Sequence, residues 1–246
     1  MTMSKKPLMD AQEIIYDAWE ESNPRVRVAL ANKALAISPL CADAYNLLAE
    51  AAKTLEEKQE LYHKGVKAGE KALGSAGFKR CAGVFWYAIE TRPYMRARFG
   101  LALMLEELGD LKAAIDHYQA MLKLNPSDNQ GVRYSLSECL MKNGDTTALK
   151  KLLKDYREET AFWLYTIALV GFREKKNVIG FAKRAYYSNK HILAALMGTK
   201  RVKKSRHGTY SHGGIDEAAI YLEGWTSHWI NTPGAVDWLM KTVTVA

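Results

Sequence analysis

This sequence has no long apolar run. None of its stretches approaches the roughly 18 residues that a membrane-spanning helix needs, so the chain is expected to lack a membrane span. The start, Met1 to Pro7, carries Lys5 and Lys6 with no apolar segment behind them, and no secretory signal is read there. Cysteine is scarce. The three residues Cys41, Cys81 and Cys139 are far apart and odd in number, which excludes a disulfide framework and a CxxC metal site. That usage fits a reducing compartment, and a cytoplasmic location is expected.

Signatures of chemistry are absent too. The chain has no GxGxxG or GxxxxGK[ST] phosphate loop, no GxSxG elbow and no HExxH helix. The six histidines (His63, His117, His191, His207, His212 and His228) do not fall at metal-ligand spacing with carboxylates or cysteines. Glu106-Glu107 and Glu158-Glu159 are adjacent in sequence, so on a helix they diverge. The expectation is a protein without catalytic activity, metal or cofactor.

What is present is a repeat. From Met95 to Asp128, large residues stand at Leu101, Leu105 and Tyr118, small ones at Ala102 and Ala114, a turn at Gly109 and a helix breaker at Pro126. Ala102 and Ala114 would lie where two helices cross, since only a small side chain lets the axes approach. Gly109 ends the first helix, Asp110 caps the second, and Pro126 stops it. This is the pattern of a tetratricopeptide repeat (TPR), a helical hairpin that needs neighbours to bury its apolar face. The same frame continues from Asn129 through Leu136, Cys139, Asn143-Gly144 and Ala148. Upstream it starts at Ala42 with Tyr45, Leu48, Ala49 and Ala52, then Gly65 and Ala68, ending at Leu73-Gly74. A first unit runs from Ala11–Trp19 through Asn23-Pro24 to Pro39.

Later segments are less regular. Helices are predicted over Phe78–Glu90, Ala161–Phe172, Asn177–Ser188, His191–Met197 and Asp216–Trp229. In the last of these, Ala219, Ile220 and Trp225 are expected to share a face. A final helix is predicted from the Thr232 cap with Pro233 at its first position, docked by Trp238 and Leu239. The fold expected is all-α: a TPR-like right-handed solenoid of four to five helical hairpins over 8–190, a basic loop region over 191–213, and an irregular C-terminal helical cap over 214–246. Hydrophobic residues make up 48% of the 246, enough for one large or two small cores.

The net charge of +8 is localised. Between Arg173 and Gly213 there are 11 Lys or Arg and one acid, Glu174, while the remainder carries 24 basic and 26 acidic residues. The densest part holds Lys200, Arg201, Lys203, Lys204 and Arg206. Two readings stand: a solvated loop, or contact with an anion such as an acidic protein segment, a nucleic-acid backbone or a membrane surface.

The chain also resembles bacterial tetratricopeptide-repeat proteins similar to the suppressor-of-tumorigenicity-seven family. The likeness rests on Ala34-Leu35, Cys41 to Glu50, Lys67 to Glu70, Phe85-Trp86, Glu90 to Arg98 and Leu124 to Tyr134. In the tail it rests on Ser188-Asn189, Glu217 to Tyr221, Trp225 and Gly234-Ala235. Eukaryotic relatives have membrane spans that nothing in this sequence matches, and the family implies no catalytic residues.

Repeat frames assign a concave face. They give Asp43, Asn46, Leu47 and Glu50 from one unit, Arg96, Phe99 and Leu103 from the next, then Gln130, Arg133, Tyr134 and Ser137. Asn46, Arg96 and Arg133 resemble part of the carboxylate clamp of chaperone-binding repeat proteins, although the full clamp is not present. The other reading has Arg92 and Arg96 pairing with Glu90, Glu106 or Asp128 to tie repeats together. Asp128 or Asn129 is expected to cap a helix starting near Gln130, and Phe85-Trp86-Tyr87 to pack an inserted helix. The function expected is a scaffold binding a protein or peptide partner. Its alternatives are a nucleic-acid-associated protein using 173–213, or an accessory subunit of a larger enzyme or secretion assembly. A homo-oligomer through the C-terminal helices is compatible with the pattern.

Overall fold

A computed structural model describes residues 6–204 and 209–244. Among them are thirteen α-helices, one 3-10 turn and no strand. The chain divides into two compact units, Met1–Gly144 and Asp145–Ala246, so the region around residue 190 lies inside the second unit.

The first unit holds α1 (Lys6–Glu20), α2 (Pro24–Ile37), α3 (Ala42–Ala51), α4 (Leu55–Cys81), the 3-10 turn Ile89–Thr91, α5 (Arg92–Glu107), α6 (Leu111–Leu124) and α7 (Val132–Lys142). Consecutive helices pack as hairpins, and α3 also packs on α1 and α5. The corners follow from local chemistry. Asn23 accepts from Arg25 N at 3.0 Å and Pro24 opens α2. Gly109 takes φ +85, which a side chain would strain, and Asp110 then accepts from Ala113 N at 3.1 Å to cap α6. Leu101, Ala102, Leu105, Ala114 and Tyr118 are all buried. Small residues at the α5–α6 crossing let the larger ones close around it.

Two first-unit expectations change. No helix runs over Phe78–Glu90. Instead α4 extends to Cys81, with a non-helical break at Gly74, and the chain then turns at Gly83 (φ +84). Gly83 N and Phe85 N both donate to Leu124 O, at 3.0 and 3.3 Å. Phe85 is thereby buried against Phe78 and Tyr94, with ring centroids 5.2 to 6.1 Å apart across the cluster. Two backbone donors converging on one carbonyl and a buried ring outweigh helix propensity here. Helix α7 starts at Val132 rather than near Gln130, because Gly131 turns left-handed and Asp128 reaches forward to cap it.

The second unit holds α8 (Thr146–Asp155), α9 (Ala161–Arg173), α10 (Ile179–Ser188), α11 (Lys190–Leu196), α12 (Ile215–Ile230) and α13 (Ala235–Thr244). Its core is aromatic: Trp163, Tyr165, Tyr221, Trp225 and Trp229 are fully buried. The face of α12 that is buried is Ala218, Tyr221, Leu222, Trp225 and Trp229. Ile220, expected on it, is 39% exposed. Helix α13 begins at Ala235, two residues after Pro233. Thr232 does not cap it, since its hydroxyl donates to His228 O at 2.6 Å.

The end of α9 has an unusual residue. Lys176 N bonds to Gly171 O at 2.9 Å and Lys175 N to Phe172 O at 3.0 Å. This paired closure, with a left-handed residue just past the helix, recurs at Gly109 and Gly198. In α9 the left-handed position is Lys175, at φ +54. A side chain there costs about 1 kcal/mol relative to glycine. Lys175→Gly is expected to stabilise the protein by about 1 kcal/mol, raising the melting temperature by about 2–4 °C. An unchanged or lower midpoint by calorimetry would show that the lysine's contacts outweigh its strain.

Candidate functional site

The expected concave-face residues differ in exposure. Asn46 and Ser137 are buried, while Arg96, Phe99, Leu103, Gln130, Arg133 and Tyr134 are half-buried and Glu50 is exposed. Asn46, Arg96, Arg133, Tyr134 and Ser137 are engaged within their own chain, whereas the buried Oε1 of Gln130 meets no hydrogen-bond partner among the described residues.

Asp43 is the centre of one network. Its carboxylate has no exposure, and three helices supply donors to it. Gln12 of α1 donates from Nε2 at 3.0 Å, and Asn46 of α3 from Nδ2 at 3.0 Å. Arg96 of α5 donates from Nε at 2.8 Å and from a second guanidinium nitrogen, a two-pronged pair. Asn46 also donates to Pro93 O at 3.1 Å. The guanidinium of Arg96 lies over Trp19, 5.0 Å from the ring centroid, and keeps a third of its surface exposed. Cys41 Sγ is 3.9 Å from Gln12 Oε1.

Asp128 is the centre of the other network. It accepts from Val132 N at 2.8 Å and Arg133 N at 3.0 Å, capping α7. Arg133 returns a bond to the same carboxylate at 2.7 Å and to Asp128 O at 3.1 Å. Its guanidinium also covers the Tyr134 ring at 4.4 Å. Ser137 donates to Tyr134 O at 2.7 Å.

The arginine pairings expected from sequence are therefore redrawn. Arg96 takes Asp43. Arg92 donates from Nε to Trp86 O at 2.9 Å and lies 5.4 Å from that ring. Glu90 pairs with Arg80, Glu106 with Lys142, and Asp128 with Arg133. Sequence reasoning missed Asp43 as the hub. It sits 53 residues from Arg96, and helical periodicity records which face a residue occupies but not which charge it meets.

In the basic segment, Lys200 Nζ is 3.0 Å from His191 Nδ1, and Lys204 pairs with Glu223. Arg201 and Lys203 are exposed. Arg206 and His207 lie outside the described residues. His212 meets Glu217 at 3.3 Å, and Glu217 also accepts from Asn189 Nδ2 and Gly213 N, both at 2.8 Å. That cluster fastens α11 to α12. Among the described residues no three His, Cys, Asp or Glu are grouped to hold a metal, and no helix is long and apolar enough to cross a membrane.

The comparison that decides kinship is a family model, described as ST7 protein, which matches residues 2–180. The chain belongs to the ST7 protein family. The match covers the first unit and reaches the start of α10. Among relatives, Protein ST7 homolog of Drosophila melanogaster is 26% identical over 260 residues, covering 94% of this chain and 48% of the relative. Suppressor of tumorigenicity 7 protein of Mus musculus is 24% identical over 292 residues, covering 98% of this chain and 50% of its own length. The chain thus spans about half the length of these curated relatives. They are animal proteins and carry no indication of the bacterial source read from sequence, and their names state no biochemical activity.

Two predictions follow from the networks. Arg96→Met leaves the Asp43 carboxylate buried without its cation, and is expected to cost on the order of 3 kcal/mol in denaturant unfolding. Adding Asp43→Asn should restore part of that loss, whereas additive losses would show the pair is uncoupled. Burial pushes the Cys41 thiol up to about 11 and the Cys139 thiol up to about 12. At pH 8 their thiolate fraction is on the order of one in a thousand or less, so both should resist iodoacetamide until the protein unfolds. Because the folded state holds these protons more tightly, stability is fully present below about pH 8.5 and falls as pH rises from there toward 11. Rapid labelling of native Cys41 in a mass-spectrometric time course would contradict this burial.

Proposed function

We propose that this chain is a non-catalytic protein-binding scaffold whose first unit is a TPR-like run of hairpins, with a partner segment held along the face of α1, α3 and α5. One observation carries the reading. Arg96, Phe99 and Leu103 follow an i, i+3, i+7 spacing on α5, all half-exposed, beside a Trp19 that stays open to solvent. A ring, an aliphatic side chain and a flat guanidinium in a row form a surface suited to an amphipathic or extended segment.

The internal networks alter how such a surface works. Arg96 and Arg133 are already neutralised by Asp43 and Asp128, so carboxylate capture is not their main contribution. Affinity would come from Phe99 and Leu103, while Glu50, paired with Arg27 at 3.3 Å, marks the rim. Asn46 and Arg133 are poor probes of binding because both hold the fold. Family membership is compatible with a binding role and names no partner. An accessory-subunit role in a larger assembly is a special case of the same reading, with one stoichiometric partner.

The test is affinity capture from native host lysate, with and without nuclease, using Leu103→Lys beside Lys203→Glu. Leu103 is half-exposed, so its change should leave the melting temperature nearly intact. A discrete protein that survives nuclease and weakens at least about thirtyfold with Leu103→Lys supports the scaffold. Recovery that collapses with nuclease and responds only to Lys203→Glu would move the contact to the basic segment.

A further inference from the structure

Within the second unit, the loop after α9 and the turn between α12 and α13 enclose an open cleft of about 520 Å³. Its apolar wall is Phe172, Pro233 and Trp238, and the two rings pack with centroids 4.9 Å apart. Its polar wall is Arg173, Lys175, Lys176 and Thr232, and none of its lining residues is a carboxylate. In the same loop Glu174 is shared by Lys150 at 2.6 Å and Lys176 at 2.8 Å, and those two ammonium groups hold its carboxyl below the usual range. Two cations thus share that carboxylate, while Arg173 and Lys175 line the cleft beside them.

The arrangement is built rather than incidental. Arg173 is fixed by Nε to Thr232 Oγ1 at 2.8 Å and by a terminal nitrogen to His228 O at 2.9 Å, which holds its guanidinium against the cleft wall. Lys175 occupies the left-handed position that glycine fills at Gly109 and Gly198. Among the described residues its ammonium has no ion pair or hydrogen bond. A strained lysine without a partner, on the lip of a cavity free of acids, is backbone strain retained where a ligand would use the charge.

We propose that this cleft binds a small phosphorylated molecule with a planar ring, a mononucleotide in chemical class. The phosphate would sit between Lys175, Lys176 and Arg173, and the ring would lie against Trp238 and Phe172. The volume falls within the range of small-ligand clefts. Cations in excess of the one carboxylate, Glu174, that engages Lys176 favour phosphate, and an aromatic wall favours a flat partner of any base identity. The site is independent of the partner face on the first unit.

The experiment is calorimetric titration of the full chain at low ionic strength with adenosine monophosphate, adenosine and inorganic phosphate. Saturable binding of the nucleotide is expected, at least about tenfold tighter than either fragment and weakening with salt. Lys175→Gly should lower that affinity about tenfold. This variant relieves backbone strain, so lost binding cannot be assigned to lost folding. Trp238→Leu should weaken the nucleotide while leaving inorganic phosphate unchanged. The proposal is overturned by no saturable nucleotide binding, by phosphate binding as tightly as the nucleotide, or by wild-type affinity in Lys175→Gly.

Discussion

A carboxylate with no exposure to water is the constraint around which the first unit is arranged. Asp43 sits in the first turn of α3, where the helix N-terminus favours negative charge. That alone does not compensate for removing a carboxylate from water, a cost of several kcal/mol. The remainder is offset by donors that must arrive from elsewhere, and they arrive from α1 and α5 as well as α3. An apolar contact tolerates sliding by an ångström, whereas a bidentate Arg–Asp pair does not. The network therefore fixes the relative positions of three helices whose apolar packing would otherwise allow several registers. Small residues make that approach possible: Gly65 faces Ala97 and Asn46 so closely that an added Cβ would lie 3.1 Å from Ala97 Cβ.

This arrangement explains what sequence could and could not reveal. Helix periodicity and the Gly-then-Asp corners were legible because they are local. Gly109-Asp110 must turn and then cap, whatever the rest of the chain does. Ala102 and Ala114 were legible because a crossing admits only small side chains. The partners of Arg92 and Arg96 were not legible. Each had several acids within plausible reach, and three-dimensional proximity chose Asp43 for one and a backbone carbonyl for the other. The helix expected over Phe78–Glu90 failed for a related reason, since the acceptor that diverts the chain, Leu124 O, lies some 40 residues away.

The candidate sites were legible to unequal degrees. The face carrying Arg96, Phe99 and Leu103 can be counted off the repeat, but not that its arginine is already answered by a buried acid. The cleft beside α9 was partly visible as the start of a basic stretch. Its position at Lys175 was hidden because a lysine at a helix end normally reads as a favourable partner for the helix dipole, not as strain. Only the backbone angle separates the two meanings.

The charge distribution has a consequence for how the two units divide their work. In the first unit Arg96 and Arg133 are matched to Asp43 and Asp128, so that surface presents rings and aliphatic groups more than net charge. In the second unit cations outnumber acids around the α9 loop, and the extra charge is held near a cleft rather than dispersed over a helix face. Unmatched charge next to a concavity is costly for folding, because like charges repel across a region that water only partly screens. A chain that matches its charges so closely in one unit has the means to do so in the other. The excess at Lys175 and its neighbours therefore points to an anion that supplies the missing negative charge when bound.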